Sequence, residues 1–169
     1  MKKLLVVAVA ASLLLSTAVK AENTNSVGKG NWLVGAAMDV NHVWGGGMDG
    51  RTTFALQSEV GYFVYDFLMP EAKVNFMVSD GFDSELITGG ARLYWNKGKP
   101  YLPFVRLNLG FGSVKEGTRA NAFALNPGIG IDYLLTKNVA IGAQANYTAY
   151  IRSSTFNSFD FPISFSIYF

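Results

Sequence analysis

The chain contains one histidine, His42, and this residue decides what catalytic chemistry can be expected. An imidazole next to a hydroxyl can activate a serine or a water molecule for acyl transfer, and an acidic residue completes such a group. Ser79 and Asp80 are the candidates for these two roles, because the segmentation below places them in a loop on the same side as His42. The alternative is that Ser79-Asp80-Gly81 is only a turn, since turns favour these residue types, and that His42 is a polar residue at a boundary.

A second set of residues points to ion pairing inside the protein. Eight charged residues lie in segments where apolar and polar residues alternate, and each falls on the polar side. They are Asp160 and the seven that we assign to a lumen network: Asp39, Glu59, Glu71, Lys73, Arg92, Arg106 and Asp132. If this side faces an enclosed interior, the carboxylates and the cations must pair, because an unpaired buried ion is costly. The sequence therefore predicts a network of salt bridges in a narrow lumen.

The composition gives little support to metal or cofactor chemistry. The chain has no cysteine and one histidine, which excludes metal sites of the Cys/His type, and we expect no cofactor. Gly45-Gly46-Gly47 lacks the following helix that a phosphate-binding loop needs, so we interpret it as a flexible loop.

The first residues have the features of a cleaved export signal. Lys2 and Lys3 precede an apolar stretch at 4–15, and Val19-Lys20-Ala21 fits the small-residue rule for signal-peptidase cleavage. The apolar stretch is too short to cross a bilayer as a helix. We therefore predict that cleavage follows Ala21.

This cleavage defines the domain organisation and changes the charge balance. The prediction is a signal peptide at residues 1–21 and one mature domain at residues 22–169. Removal of the three lysines of the signal leaves 11 Lys and Arg residues against 12 Asp and Glu residues. No basic patch remains in the mature domain, so we expect no nucleic-acid partner.

The mature sequence is strongly apolar, yet it has no segment of helical length. Half of all residues are hydrophobic and 14% are aromatic, while 15% are charged. No mature segment approaches the roughly 18 uninterrupted apolar residues of a spanning helix. Apolar and polar residues instead alternate over about eight segments of roughly 10 to 14 residues, which is the period of a β-strand. The last segment alternates most regularly, with Phe159, Phe161, Ile163, Phe165, Ile167 and Phe169 opposite Asp160, Ser164, Ser166 and Tyr168.

The distribution of charge over the two faces indicates which solvent the strands meet. The bulky face carries Trp, Phe, Tyr, Leu and Ile and no charge, while the opposite face is rich in Gly, Ala, Ser and Asn. A charge that faces lipid near the bilayer midplane costs about 2–4 kcal/mol, so this exclusion fits contact with hydrocarbon. In that solvent every backbone N–H and C=O needs a partner, and the sheet must close. The sequence predicts an all-β fold, an eight-stranded antiparallel up-and-down transmembrane β-barrel.

Aromatic residues are predicted to form two belts where the bilayer meets water. One belt lies near the turns on the side of both chain termini: Trp32, Tyr62, Tyr65, Phe67, Trp95, Tyr101 and Tyr133. The other lies toward the opposite loops: Trp44, Phe54, Phe82, Phe123, Tyr147 and Phe159. Two prolines fall within strands that are paired on both sides. We place Pro103 at a strand start and expect a bulge or a shifted boundary at Pro127.

These patterns resemble the small outer-membrane β-barrel family that includes the OmpA-like and OmpX-like eight-stranded proteins, over essentially the whole mature chain. The most specific pieces are Gly61-Tyr62-Phe63-Val64 before a short turn, and Ala91-Arg92-Leu93-Tyr94 followed by Pro100-Tyr101-Leu102-Pro103-Phe104. The alternating terminal strand that ends in Phe169 is the third. The resemblance implies export through the periplasm and location in the bacterial outer membrane.

The resemblance also implies a set of partners. Phe165, Ile167 and Phe169 look like the C-terminal signal that the barrel-assembly machinery recognises, although Ser164 stands where the family often has Gly. The implied partners are outer-membrane lipids and lipopolysaccharide, with the assembly machinery during insertion. We expect the folded protein to be a monomer.

The function expected from these observations is a structural or surface-interaction role, in adhesion or envelope integrity, and no enzymatic activity. Loops on a rigid scaffold carry such recognition, and eight strands leave a largely plugged lumen rather than a pore. Two alternatives stay open. Some small outer-membrane barrels are lipid A-modifying enzymes, for which His42, Ser79 and Asp80 would be the catalytic residues. A soluble lipocalin-like ligand carrier is the other, because Gly30-Asn31-Trp32 matches the start of that family's first strand.

Overall fold

The computed structural model describes residues 27–169 except residues 46–47, 80–81, 96–98, 117 and 152–155. The predicted signal peptide at residues 1–21 and the candidate Asp80 therefore lie outside the described residues. Within the described part of the chain, no helix is long and apolar enough to cross a membrane.

The described residues form nine antiparallel strands in one sheet. They are β1 (Trp32–Gly45), β2 (Met48–Tyr62), β3 (Leu68–Ser79), β4 (Phe82–Tyr94), β5 (Tyr101–Glu116), β6 (Thr118–Leu134), β7 (Val139–Ile151), β8 (Phe156–Asp160) and β9 (Ile163–Tyr168). Consecutive strands from β1 to β7 are neighbours, while β8 and β9 both lie between β7 and β1. These last two strands are the halves of one eighth strand, and the predicted closed eight-stranded antiparallel barrel is confirmed.

The barrel closes where the beginning of the described chain meets its end. Trp32 N donates a hydrogen bond to Phe169 O at 2.6 Å, and Phe169 N donates to Trp32 O at 3.0 Å. Both chain ends consequently lie at one end of the barrel, as an even number of strands requires. We call this the terminal end and the opposite one the distal end.

The interruption of the eighth strand has its cause in Pro162. The pairings Asn146↔Asp160 and Ala143↔Ile163 keep the same register on either side of it, so no residue is inserted. Proline has no N–H to donate, which removes one bond of the ladder. The neighbouring bonds persist, since Gln144 N donates to Pro162 O at 3.1 Å. The sequence predicted an uninterrupted strand here, and that detail is wrong.

Pro127 behaves differently from the predicted bulge or shifted boundary. Leu125 pairs with Ala149 and Gly128 with Asn146, so the register of β6 against β7 is the same before and after the proline. A non-proline residue at this place would donate its N–H to the carbonyl of Tyr147, the residue opposite. Asn126 Nδ2 donates to Tyr147 O instead, at 3.3 Å. A side-chain amide therefore takes the place of the missing backbone donor. Pro103 lies near the start of β5, as predicted.

Side chains alternate between the interior and the outside along every strand. In β5, Phe104, Arg106 and Asn108 are buried, while Leu107 is 53% exposed and Phe111 is 72% exposed. The strands extend further toward the distal end than the sequence predicted. This extension places Glu85, a charged residue, on the outward face of β4 near its distal end.

Candidate functional site

The middle of the lumen is organised around Arg92, which is completely buried. Its Nη2 lies 2.6 Å from Glu59 Oε2, and its Nε donates to Glu71 Oε2 at 2.8 Å. Its Nη1 lies 3.6 Å from Asp132 Oδ2. The guanidinium carbon also lies 4.4 Å from the centre of the Phe104 ring, a cation–π contact. One arginine thus compensates three carboxylates from three other strands.

Arg106 on the neighbouring strand supplies the second guanidinium of the network. Its Nη1 lies 3.4 Å from Glu59 Oε2 and 3.8 Å from Glu71 Oε1. Its Nη2 and Nε both donate to Asn146 Oδ1, at 2.8 and 3.1 Å. Asn108 Nδ2 donates to Glu71 Oε1 at 2.8 Å, which satisfies the remaining side of that carboxylate.

Asp132 is held by two tyrosines as well as by Arg92. Tyr94 OH and Tyr168 OH donate to Asp132 Oδ2 at 3.0 and 2.9 Å. Arg92 Nη1 in turn donates to Tyr94 OH at 3.0 Å. These hydroxyls connect the ion network to the terminal end of the lumen.

The distal part of the network is built on Gln57. Its Nε2 donates to Asp39 Oδ2 at 2.8 Å and lies 3.4 Å from Asp160 Oδ2, while its Oε1 accepts from Lys73 Nζ at 3.0 Å. Asn146 Nδ2 donates to Asp160 Oδ2 at 2.7 Å. Lys73 therefore reaches the two aspartates through an amide rather than directly.

Apolar side chains occupy the lumen on both sides of these polar residues. The cluster at the terminal end consists of Leu33, Phe63, Met69, Tyr94, Leu102, Phe104, Ala140 and Tyr168, with Val27 and Leu134 packed against it. The cluster at the distal end consists of Val43, Ala55, Met77, Leu86, Ala122, Ala124 and Tyr150. The ion network is thus enclosed between two apolar layers.

The structure brings together all seven residues of the predicted lumen network: Asp39, Glu59, Glu71, Lys73, Arg92, Arg106 and Asp132. Sequence reasoning did not include the neutral partners that complete it, namely Gln57, Tyr94, Asn108, Asn146 and Tyr168. A signal was available for Gln57, Tyr94 and Asn108, because each shares the inward face of its strand with a charged residue. This signal was weak, since the alternation of inward and outward residues does not say which strands face each other across the lumen.

Of the three candidate catalytic residues, the structure describes His42 and the backbone position of Ser79. His42 is exposed on the outward face of β1 and stacks on Trp44, with ring centres 5.8 Å apart. Ser79 ends β3, and β2 lies between the two strands, which separates their backbones by about 10 Å. Asp80 lies outside the described residues. Among the described side chains, no group of three or more His, Cys, Asp or Glu residues is placed to hold a metal ion.

The outward face carries the aromatic side chains near the two barrel ends. At the terminal end the exposed set is Trp32, Tyr62, Tyr65, Phe67, Trp95, Tyr101 and Tyr133. Toward the distal end Phe54 and Phe159 are exposed and Trp44, Phe123 and Tyr147 are half-buried, while the side chain of Phe82 is outside the description. Large aliphatic side chains such as Ile87 and Ile129 cover the surface between them. The exterior is therefore the apolar side of the wall and the interior the polar one.

The last strand presents its apolar side chains outward. Phe165 is 47% exposed, and Ile167 and Phe169 are half-buried on the same face. Ser166 and Tyr168, which alternate with them, point into the lumen. The three residues of the predicted assembly signal thus form one outward row at the seam of the barrel.

No protein-family model matches the chain, and no curated protein matches it significantly. Its structure is similar to that of Neisserial surface protein A, at 18% sequence identity and a TM-score of 0.70, over 83% of this chain and 100% of that one. Ail, the attachment invasion locus protein of Yersinia pestis, has 12% identity and a TM-score of 0.58, over 82% and 99% of the two chains. OprG of Pseudomonas aeruginosa has 10% identity and a TM-score of 0.61, over 87% and 99%.

The chain has the fold of the small outer-membrane β-barrels. Its wall is apolar outside and polar inside, which is the polarity that a closed sheet needs in a bilayer. Fold and polarity together are those of an outer-membrane protein. A lipocalin-like carrier would need bulky apolar side chains lining a cavity, whereas the described lumen holds ion pairs between two apolar layers.

Proposed function

We propose that this protein is an integral barrel of the outer membrane with a surface-interaction or structural role, in adhesion or envelope integrity, and with a lumen closed to solutes. The observation that supports the proposal is the set of buried side chains that point into the lumen. Arg92, Glu59 and Glu71 are tied together in its middle, and an apolar layer lies on either side. A scaffold of this kind offers its loops, rather than a channel, for function.

The distal loops are the part of the molecule that we propose to meet partners. The segments are Trp44–Arg51, Ser79–Ser84, Ser113–Asn121 and Arg152–Ser158. Two of the similar structures belong to proteins described as a surface protein and as an attachment invasion locus protein. Those descriptions apply to those proteins, and they support, by fold alone, a surface-interaction role for this one.

We also propose the partners that such a barrel would meet in the membrane. The outward aliphatic face and its aromatic residues would contact outer-membrane lipids, with lipopolysaccharide at the distal end. The row Phe165, Ile167 and Phe169 would be recognised by the barrel-assembly machinery. Each strand is paired on both sides, so no sheet edge is left for a second copy, and a monomer is the state that we propose.

Replacing distal loops separates an interaction role from a purely structural one. In each variant, one of the four distal segments receives a different sequence of the same length that keeps the alternation of its strand residues, because every segment includes strand ends. The control variant carries a replacement of the turn 135–138 at the terminal end. If the role is surface interaction, binding to lipopolysaccharide vesicles or to host cells falls with one or more distal replacements and not with the control. Unchanged binding in all four variants, with intact barrels, would leave only the structural role.

Conductance in planar bilayers tests the closed lumen. The wild-type barrel is expected to give no sustained channel openings. Removing side chains of the terminal apolar layer, for example with Phe63→Ala and Phe104→Ala, is expected to leave conductance low, because the ion network still fills the middle. Stable openings of the unmodified protein would contradict the closed lumen.

A further inference from the structure

The buried charges of the described lumen side chains do not balance. The described buried carboxylates are five: Asp39, Glu59, Glu71, Asp132 and Asp160. The described buried cations are three: Lys73, Arg92 and Arg106. An excess of two negative charges inside a barrel surrounded by hydrocarbon is costly, so a counter-charge is expected within the lumen.

The excess is divided between the two halves of the network: among the described side chains, two guanidiniums face three carboxylates in the middle, and Lys73 faces Asp39 and Asp160 at the distal half. Arg92 and Arg106 contact Glu59, Glu71 and Asp132, and none of the ion pairs among the described side chains includes Asp39 or Asp160. Both aspartates accept from Gln57 Nε2, and Asp160 Oδ2 also accepts from Asn146 Nδ2. These amide donors are neutral and do not cancel the charge of two neighbouring carboxylates, which favours a further positively charged partner.

An independent observation comes from Asn41, which lies beside both aspartates. It is 0% exposed, and neither its Nδ2 nor its Oδ1 has a hydrogen-bond partner among the described residues. The hydroxyl of Thr53, which is also buried, is likewise without a partner there. Buried polar atoms of this kind cost free energy unless a ligand or ordered water satisfies them.

The strand register brings these four side chains to one place. Asn41 pairs with Asp160 of β8 on one side and with Thr53 of β2 on the other. Asp39 lies two residues before Asn41 on the same inward face of β1. Directly opposite residues have Cβ atoms about 4.5–5.5 Å apart, a distance that a single ion can bridge.

We propose that this group of residues binds one divalent cation of the calcium type. Carboxylate oxygens of Asp39 and Asp160, Asn41 Oδ1 and Thr53 Oγ1 would be its protein ligands, with water molecules completing the shell. Hard cations such as Ca²⁺ prefer six to eight oxygen ligands of these kinds. The ion balances the excess of two negative charges among the described lumen side chains. It also links β8, β1 and β2, and so fastens the seam where the last part of the chain closes on the first.

Calcium titration of the folded mature chain in detergent micelles, first stripped of metal with a chelator, tests the site. Wild type is expected to bind about one Ca²⁺ per chain, and bound Ca²⁺ should raise the unfolding temperature because it binds only the closed barrel. Asp39→Asn and Asp160→Asn each keep the side-chain size and should abolish stoichiometric binding. Asn41→Asp adds a third carboxylate and should tighten binding about tenfold, since ligand charge sets affinity in such sites.

Glu85→Gln is the matched control, because it removes a carboxylate near the same end of the barrel but on the outward face. It should bind Ca²⁺ like wild type. Absence of saturable binding by wild type overturns the proposal and leaves protonation to reduce the charge of Asp39 and Asp160. Binding that Glu85→Gln loses as much as Asp160→Asn overturns it as well, because it then reflects carboxylates of the distal rim. The wild-type titration decides the question even if a variant fails to fold.

Discussion

At the scale of single residues, Arg92 is the side chain on which most of the buried network depends. It contacts Glu59, Glu71 and Asp132, and its position is completely buried. Breaking a buried ion pair by removing one partner costs more than the pair itself is worth, because the other charge is left uncompensated. The network is therefore more vulnerable to loss of Arg92 than to joint removal of opposite charges.

Arg92→Met is expected to lower the free energy of unfolding by about 3–5 kcal/mol. Urea unfolding of the barrel in lipid vesicles measures this loss. Adding Glu71→Gln to Arg92→Met removes one stranded carboxylate and should recover part of it. Lys29→Met, at an exposed lysine of the terminal end, serves as the control and should have no measurable effect. An Arg92→Met barrel as stable as wild type would show that the network contributes little.

The inward position of these charged residues followed from the sequence, whereas their partners did not. The alternation of side chains along a strand predicts that Arg92 and Asp132 point inward. It does not predict that Tyr94 and Tyr168 meet at Asp132, because that contact joins strands that are far apart in the sequence. The phenolic tyrosines were also harder to interpret, since Tyr is equally suited to a lipid interface and to a lumen.

At the scale of strands, the pairing of β6 with β7 depends on a side chain as well as on the backbone. Asn126 Nδ2 donates both to Tyr147 O and to Thr148 Oγ1, at 3.3 and 2.8 Å. The first of these bonds compensates for the N–H that Pro127 lacks. The sequence showed the proline, and a bulge was the interpretation that strand pairing alone favoured. The compensation was not predictable, because it depends on where an amide side chain lies across the ladder.

A double-mutant cycle isolates this compensation. Asn126→Ala is expected to cost about 1–3 kcal/mol of stability in wild type, because it leaves buried acceptors without donors. In a Pro127→Ala background the backbone N–H is restored, and the cost of Asn126→Ala should fall by about 1 kcal/mol. The coupling is obtained from urea unfolding of the four chains. Equal costs in the two backgrounds would mean that Asn126 acts only through Thr148.

The contact between β4 and β5 depends on a glycine. A Cβ at Gly110 would overlap the backbone carbonyl of Ile87 on the facing strand, whereas a Cβ at Gly89 would have its nearest neighbour at an ordinary 3.8 Å. Gly110→Ala should therefore destabilise the barrel by about 1–3 kcal/mol through overpacking, and Gly89→Ala should not. Both substitutions reduce the freedom of the unfolded chain alike, so their difference in unfolding free energy reports the close approach. Similar stabilities of the two variants would contradict a close approach of β4 and β5 at Gly110.

At the scale of the whole molecule, the sequence was informative about architecture because one physical rule acts at every position. Exclusion of charge from one face and alternation of residues such as Leu107 and Asn108 require a wall between hydrocarbon and a polar interior. The ends of the strands were harder to predict from the sequence. Loops and strand extensions, such as the one that carries Glu85, have the same composition. The partners of the distal loops are set by surface chemistry that no periodicity encodes.

The fold and the proposed function both require that the apolar face of the barrel wall meets lipid and the polar face meets the lumen. Labelling of single cysteines in liposomes tests this orientation most directly. The native chain has no cysteine, so each introduced thiol is unique. Spin labels at Leu107 and Ile129, which are 53% and 61% exposed, should collide with lipid-soluble oxygen and not with a water-soluble nickel complex. Labels at Asn108 and Ala124, both buried, should be shielded from both reagents. Access of the nickel complex to Leu107 and Ile129, with the buried positions reached by oxygen, would contradict the inverted polarity on which the fold and the proposed function depend.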